Sequence, residues 1–280
     1  MTVPTETLDI INLEMRHLEG ALALSEEAHW NQIEADWQMM MTAGNAIGME
    51  APDGRLVASA LALPYGDSFG WISMVLVTAD WQKKGLATRL LQSCIEQLES
   101  AGLTPVLDAT PAGENVYRPL GFLPHFGFQR WEHEAVESIH LQSQALDDVN
   151  VDGISRIDGQ VFGGKRPAVL ESLMARSSNF SCSDKTSDGY LLGRDGRVAS
   201  QIGPIFADNT ASAFIMLDYA LANLKGRIFV DAADHQIEFV QRLKDYGFSS
   251  QRPFLRMAKG RAKPPGDTAK MFAMAGPELG

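Results

Sequence analysis

The chain has 280 residues, of which 45% are hydrophobic and 21% are charged. This length suits one large domain or two of ordinary size, and the composition is that of a soluble globular protein without a membrane helix. The formal net charge of -11 disfavours a nucleic-acid partner, because phosphate binding depends on clustered Lys and Arg. The charge either serves solubility alone or mildly favours a neutral or cationic substrate.

The N-terminus and the cysteines indicate a cytoplasmic protein. Residues 1–10 have neither a basic start nor an apolar signal core, so we expect no secretion. Cys94 and Cys182 are far apart and lie in no metal-ligand spacing. Two lone cysteines are typical of a reducing compartment, and we therefore predict neither a disulfide nor a metal site.

The first predicted elements are a short strand and two helices. Residues 9–13 are rich in β-formers, and residues 15–27 carry apolar side chains at helical spacing. A second helix is predicted over residues 32–42, because turn residues at 43–45 end the pattern.

Strands separated by turns follow, and a strong helix comes after the third of them. Pro52-Asp53-Gly54 is a turn signal, because Pro presets φ and Gly accepts a positive φ. Gly102 and Gly121 stand where helices are expected to end. We predict strands over 46–50, 56–63, 69–78 and 105–109, helices over 87–101 and 114–120, and a strand pair over 122–139.

The loop between strand 69–78 and helix 87–101 has the composition of an anion site. The first turn of a helix has N–H groups without partners inside the helix, and its dipole adds partial positive charge. Gly85 lets the backbone approach a phosphate without a Cβ in the way, and Lys83 and Lys84 add charge. Two adjacent lysines alone are typical of a solvated turn, so the flanking strand and helix make the pattern specific.

This segment resembles motif A of the GNAT acetyltransferases. The hydrophobic strand is 72–77, and Gln82, Gly85 and Ala87 fill the fixed positions of the loop. Ala79 stands where the family usually has Pro, a departure that concerns only the chain direction. The resemblance implies acetyl-CoA as co-substrate, its pyrophosphate held by the loop 82–87.

A second resemblance lies downstream, where 117–122 matches the family pattern Tyr-x-x-x-Gly-Phe. The resemblance implies that Tyr117 is the general acid that protonates the departing thiolate. It also implies that the strand 69–78 separates from its neighbour at a bulge and pairs with pantetheine near Val75 and Val77. The implied cofactor contacts are Val75, Leu76, Val77, Gln82, Lys83, Lys84, Gly85, Leu86, Ala87, Thr88 and Asn115.

The acceptor side is less specific. The family builds its acceptor pocket between the first two helices, which implies Trp30 as a wall and Asn31 as an orienting group. A helix-capping role for Asn31 is the alternative. No motif identifies the general base, for which His29, Glu50 and Asp108 are candidates.

The C-terminal half repeats the later landmarks of the first half. The echoes are 229–233 for 106–110, 246–248 for 120–122 and 254–257 for 128–131, and a strand at 202–206 precedes a helix at 210–224 where motif A would lie. The chemistry is missing, because no glycine lies between Phe206 and Phe214 and Leu243 stands in the position of Tyr117. We therefore predict a second, non-catalytic GNAT-like fold.

These observations predict an α+β protein of tandem GNAT-like domains, each a mostly antiparallel twisted sheet flanked by helices. The catalytic domain covers 1–139, the degenerate domain covers 140–260 after a polar linker, and 261–280 is a loose or docked tail with little β or helical pattern.

The predicted function is transfer of an acetyl group to a primary amine of a small molecule by direct attack in a ternary complex. The rivals are a non-catalytic acyl-CoA sensor and a protein or peptide N-acetyltransferase. We expect no nucleic-acid or membrane partner and a possible homodimer.

Overall fold

The computed structural model describes residues 8–136, 151–184 and 188–280, with the side chains of 135 and 136 left aside. Contacts divide the chain into two compact units, 1–106 and 107–280. The predicted linker at 140–150 falls outside the described residues. The predicted domain boundary therefore stays a prediction.

The first unit contains a sheet of antiparallel strands that ends in one parallel pair. Its elements are β1 (Ile11–Asn12), α1 (Leu18–Glu27), α2 (Glu34–Ala43), β2 (Asn45–Glu50), β3 (Leu56–Tyr65), β4 (Phe69–Val77), α3 (Leu86–Ser100) and the start of β5 (Thr104–Ala109). The strands follow the order β1-β2-β3-β4-β5, and only β4 and β5 are parallel. The predicted elements are confirmed with shifts of one or two residues at most ends.

Helix α3 forms because its apolar residues recur at helical spacing. Leu90, Leu91, Cys94 and Leu98 are buried, and the helix packs on β3 and β4. Gly70 of β4 permits this close packing, since a Cβ there would come within 2.3 Å of Leu98. The helix is thereby held against the strand that precedes it.

The second unit repeats the sheet and helix pattern. Its elements are the end of β5, α4 (Pro111–Tyr117), β6 (Phe122–Val136), α5 (Val151–Val161), α6 (Pro167–Arg176), β7 (Cys182–Asp184), β8 (Gly189–Arg194), β9 (Ser200–Phe206), α7 (Thr210–Asn223), β10 (Gly226–Ala233), α8 (Ile237–Asp245), β11 (Ser249–Lys259) and β12 (Met271–Met274). The strands follow the order β11-β6-β10-β12-β9-β8-β7. Most pairs are antiparallel, as predicted, and β9 and β10 are parallel where they meet directly.

Two predictions for this unit are wrong. Residues 122–136 form the single strand β6 instead of a strand pair, because the segment continues without a turn between β11 and β10. Residues 261–280 were expected to have little β structure, but β12 pairs with both β10 and β9. The apolar residues Met271, Phe272, Ala273 and Met274 are all buried there, which the proline-rich start of the segment concealed.

Candidate functional site

Strand β4 carries a bulge at Met74. Ser59 of β3 pairs with Leu76 and Leu61 pairs with Ser73, so two residues of β4 lie opposite the single residue Ala60. Met74 has a φ of 51°, and the hydroxyl of Ser59 donates to its carbonyl oxygen at 2.8 Å. A bulge bends its strand and increases the local twist, so the C-terminal half of β4 takes a new direction.

The pairing of β4 with β5 is short. It covers Phe69–Trp71 against Thr104–Val106, so residues 72–77 of β4 have β3 as their described strand partner. The N–H of Thr78 donates to the carbonyl of Val57 at 3.0 Å, which places the backbone groups of Val77 on the side away from β3 by the alternation of an antiparallel ladder. The same alternation turns the backbone of Leu76 towards β3.

The loop after β4 has the backbone shape that its glycine predicts. Lys83 and Gly85 have φ values of 59° and 81°, and Gly85 precedes the first residue of α3. A Cβ built on Gly85 meets no atom within 4 Å. The glycine is therefore needed for its positive φ and not for close packing, and the space beside it is open. Lys83 and Thr88 are also exposed, whereas Leu86 is buried in the core.

The N-terminus of α3 is suited to bind an anion. The helix begins at Leu86, and its N-cap residue is Gly85, which has no side chain to cap it. The N–H groups of its first turn have no partner inside the helix, and the helix dipole makes that end partly positive. Strand end, left-handed loop and free helix N-terminus therefore fit a bound phosphate or pyrophosphate.

Hydrogen bonds hold this loop to its surroundings. Gln82 donates from Nε2 to the carbonyl of Val77 at 3.1 Å. Glu27, at the end of α1, accepts at 2.6 Å from both the hydroxyl of Thr78 and the N–H of Ala79. Lys84 lies over the ring of Trp81 at 4.4 Å, and both Lys83 and Lys84 are exposed. Sequence analysis missed Glu27 and Ser59, because both act through contacts with distant residues.

The connection between α1 and α2 holds the predicted acceptor residues. His29 is exposed with a φ of 56°, Trp30 is half-buried and Asn31 is buried. Asn31 is not the N-cap residue of helix α2, which is Ile33. Helix α2 begins at Glu34, and Asp36 supplies the capping contact by accepting from the N–H of Ile33 at 2.9 Å.

Tyr117 ends helix α4 in the second unit. Thr110 caps this helix by accepting from the N–H of Gly113 at 3.2 Å, and the ring of Tyr117 lies 5.9 Å from that of Phe122. Gly113 makes room for the ring, because a Cβ there would come within 2.9 Å of it. Burial raises the pKa of the Tyr117 phenol, so the group keeps its proton at neutral pH.

The structure weakens two of the remaining candidates. Asn115 is exposed, and its amide donates to the carbonyl of Pro111 at 3.4 Å, which folds the side chain back on α4. Asp108 accepts from Arg256 through both carboxylate oxygens at 2.9 Å. Burial raises the pKa of Asp108, but the bidentate ion pair leaves this carboxylate poorly placed to move a proton. Among the base candidates, Glu50 faces His17 at 3.4 Å and is partly exposed.

In the second unit the corresponding strands, β9 and β10, are separated by a third strand. β9 and β10 pair directly only at residues 200–202 and 228–230, and β12 then lies between them, paired to both. Gly203 of β9 permits the contact, because it has a φ of 144° and a Cβ there would come within 2.0 Å of the Met274 carbonyl oxygen. Leu243 is fully buried, and Tyr246 donates to Asp218 at 2.6 Å.

Comparisons with known proteins agree with the two folds. Residues 9–122 match the acetyltransferase (GNAT) family, and residues 154–273 match an acetyltransferase (GNAT) domain. The chain is 22% identical to the uncharacterized N-acetyltransferase YitH of Bacillus subtilis, with 97% of this chain and 98% of the relative covered.

Solved structures show the same fold over the whole chain. A putative acetyltransferase from Pyrococcus horikoshii superposes with a TM-score of 0.83 at 18% identity, covering 100% of this chain and 98% of that one. A tandem GNAT protein from the clavulanic acid biosynthesis pathway superposes with a TM-score of 0.61 at 12% identity, covering 90% and 98%.

The family matches, together with this strand, loop and helix, identify an acyltransferase built from two similar domains. The chain belongs to the GNAT superfamily of acetyltransferases, with a GNAT domain in each half. None of its described helices is long and apolar enough to cross a membrane.

Proposed function

We propose that the N-terminal domain transfers an acetyl group from acetyl-CoA to a primary amine of a small molecule. The observation that carries the proposal is the combination of a bulged β4, which leaves β5 after Trp71, with the left-handed loop at Lys83 and Gly85. Acetyl-CoA supplies the thioester-bound acetyl group. The residues present fit it, because the loop and α3 offer N–H groups to a pyrophosphate and β4 offers the N–H of Val77.

The reaction is direct attack in a ternary complex. The amine nitrogen forms a bond to the carbonyl carbon and loses a proton to solvent, the carbon–sulfur bond breaks, and the thiolate takes a proton. Tyr117 is the proposed donor of that proton, and its phenol is protonated at neutral pH, as a proton donor requires. The rest of the rate enhancement comes from holding the amine and the thioester together in the site.

The C-terminal domain is proposed to bind no acetyl-CoA. β12 pairs with β9 and β10 at the place where the first unit leaves β4 unpaired, so the backbone groups there are already satisfied. The first domain alone then carries the proposed activity.

A screen of small primary amines with acetyl-CoA tests the proposal. Release of free thiol is measured, and at least one amine is expected to give turnover. Millimolar acetyl-CoA without heat of binding in calorimetry would contradict the proposal. Binding without transfer to any amine would support the sensor instead, and transfer only to peptides would support a protein acetyltransferase.

The Tyr117→Phe variant tests whether Tyr117 acts as the general acid or only as a packing residue. The phenol is the proposed proton donor, so kcat should fall by about a hundredfold or more, while KM for acetyl-CoA changes little. Tyr246→Phe is the matched control, because Tyr246 is the tyrosine beside the corresponding glycine of the second domain. An unchanged kcat in Tyr117→Phe would remove the acid assignment.

A further inference from the structure

One face of the second unit's sheet carries several buried charges. Arg130 of β6 donates to both carboxylate oxygens of Asp231 at 2.8 and 2.7 Å, and Gln201 of β9 donates to the same Asp231 at 3.2 Å. Arg194 of β8 donates to Glu278. Charges are expensive to bury unless each has a partner, and these four ionised groups form pairs.

Arg252 of β11 is the exception on this face. The register pairs it directly with Arg130 across β11 and β6, and the bulge at Gln251 sets that alignment. Like charges directly opposite each other destabilise a sheet. Arg252 is half-buried over the ring of Phe254 at 5.3 Å, and none of the described residues supplies it with a carboxylate.

The charges on this face do not balance. The ion pairs are Arg130 with Asp231, Arg194 with Glu278 and Arg256 with Asp108. Arg252 therefore adds a fourth arginine to three carboxylates among the described residues. Burial lowers the pKa of Arg252 and the charge of Arg130 lowers it further, while the nearby carboxylates of Asp231 and Glu278 offset only part of this effect.

Two acceptor atoms on the same face lack a donor. Oε1 of Gln201 and Oε2 of Glu278 are buried and have no hydrogen-bond partner among the described residues. Gln201 and Glu278 are at least 98% buried as residues. A buried acceptor without a donor costs free energy, so these atoms favour a bound group that carries an O–H or N–H.

We propose that this face of the second unit binds a small organic acid with one negative charge and a hydrogen-bond donor. Its carboxylate pairs with Arg252 and its hydroxyl or N–H donates to Gln201 or Glu278. A monoanion fits better than a phosphate dianion, because one negative charge balances the one excess arginine and a second would leave a new buried charge. Arginine also binds a carboxylate through two parallel hydrogen bonds.

Calorimetry on the full chain without acetyl-CoA tests this site, so its outcome is separate from that of the acetyl transfer. The probes are L-lactate, lactamide, which lacks the charge, and propionate, which lacks the hydroxyl, all at constant ionic strength. Lactate is expected to bind about tenfold or more tightly than lactamide, and more tightly than propionate. Equal binding of lactate and lactamide, or no binding of lactate at millimolar concentration, would overturn the proposal.

The Arg252→Met variant tests whether Arg252 binds the carboxylate of the ligand. Met keeps an apolar stem over Phe254 and removes the repulsion from Arg130, so the melting temperature should stay equal or rise while lactate binding falls about tenfold or more. Arg156→Met is the matched control, since Arg156 is an exposed arginine paired with Asp188, and it should bind lactate like the wild type. Arg252→Gln provides a second variant. Retained lactate binding in either Arg252 variant that folds, or an equal loss in Arg156→Met, would overturn the assignment.

Discussion

In the first unit, β4 leaves β5 after Trp71, whereas in the second unit β9 leaves β10 after Ile202 and β12 enters between them. The two units share a fold. In the second unit, β12 pairs with the backbone groups of β9, whereas in the first unit the corresponding edge of β4 has no described strand beside it after Trp71. A glycine marks each arrangement. Gly85 faces open space beside a helix N-terminus, and Gly203 faces the carbonyl of Met274 at contact distance.

This difference explains how one scaffold can carry two roles. Function resides in the site and not in the fold, so a duplicated domain can lose its chemistry while its sheet and helices persist. In the second unit the helix α7 still follows β9, but Asn209 caps it by accepting from the N–H of Ser212 at 3.0 Å. The helix N-terminus that is uncapped in α3 is thus satisfied internally in α7.

Gly203→Ala tests the filled gap and should have the largest effect on stability. The new Cβ would collide with the backbone of β12, and the φ of 144° is unfavourable for alanine. Strain and overpacking together are expected to lower the free energy of unfolding by about 4 kcal/mol. Gly226→Ala is the control, because Gly226 also has a positive φ but no atom within 4 Å of a Cβ. Chemical denaturation of both variants measures the difference, and equal losses would contradict a close β9–β12 contact.

Gly85→Ala tests the open loop of the first unit. The positive φ costs about 1 kcal/mol of stability for alanine, and acetyl-CoA affinity should fall about tenfold, because the Cβ occupies the space left for the phosphates. Gly54→Ala has the same backbone cost, since its φ is 83° and its Cβ would also be free, but it lies in a different turn. An equal loss of affinity in both variants would show that the effect comes from stability alone.

The cysteines report on the two units separately and give the smallest expected effect. Burial raises the pKa of Cys94 to about 12 and also raises that of Cys182, so neither thiol should react in the folded protein at neutral pH. Slow labelling then requires local opening. Acetyl-CoA at its Kd should slow labelling of Cys94 about twofold and leave Cys182 unchanged, as measured by mass spectrometry. Equal slowing at both sites would argue against a pyrophosphate site at the loop before α3.

The sequence was most informative where local patterns decide the structure. The apolar periodicity of α3 and the glycine of its loop predicted that region, and the Gly-Phe pairs at 121–122 and 247–248 exposed the internal repeat. The resemblance to motif A added the bulge of β4, which periodicity alone does not contain.

Other features depend on residues far apart in the chain and were beyond prediction. The brace of Glu27 on Thr78 joins α1 to the end of β4, and neither residue has a local signature. The buried ion pair of Asp108 with Arg256 weakens a base candidate that has no visible partner in the sequence. β12 was missed because its partners are β9 and β10, and four apolar residues after a proline-rich stretch do not reveal a strand by themselves.

The binding stoichiometry of acetyl-CoA tests the central claim most directly. Isothermal titration of the full chain should show one site per chain, and Gly85→Ala should weaken that site. Two sites would contradict the filled gap of the second unit, and the absence of any binding would contradict the cofactor site of the first.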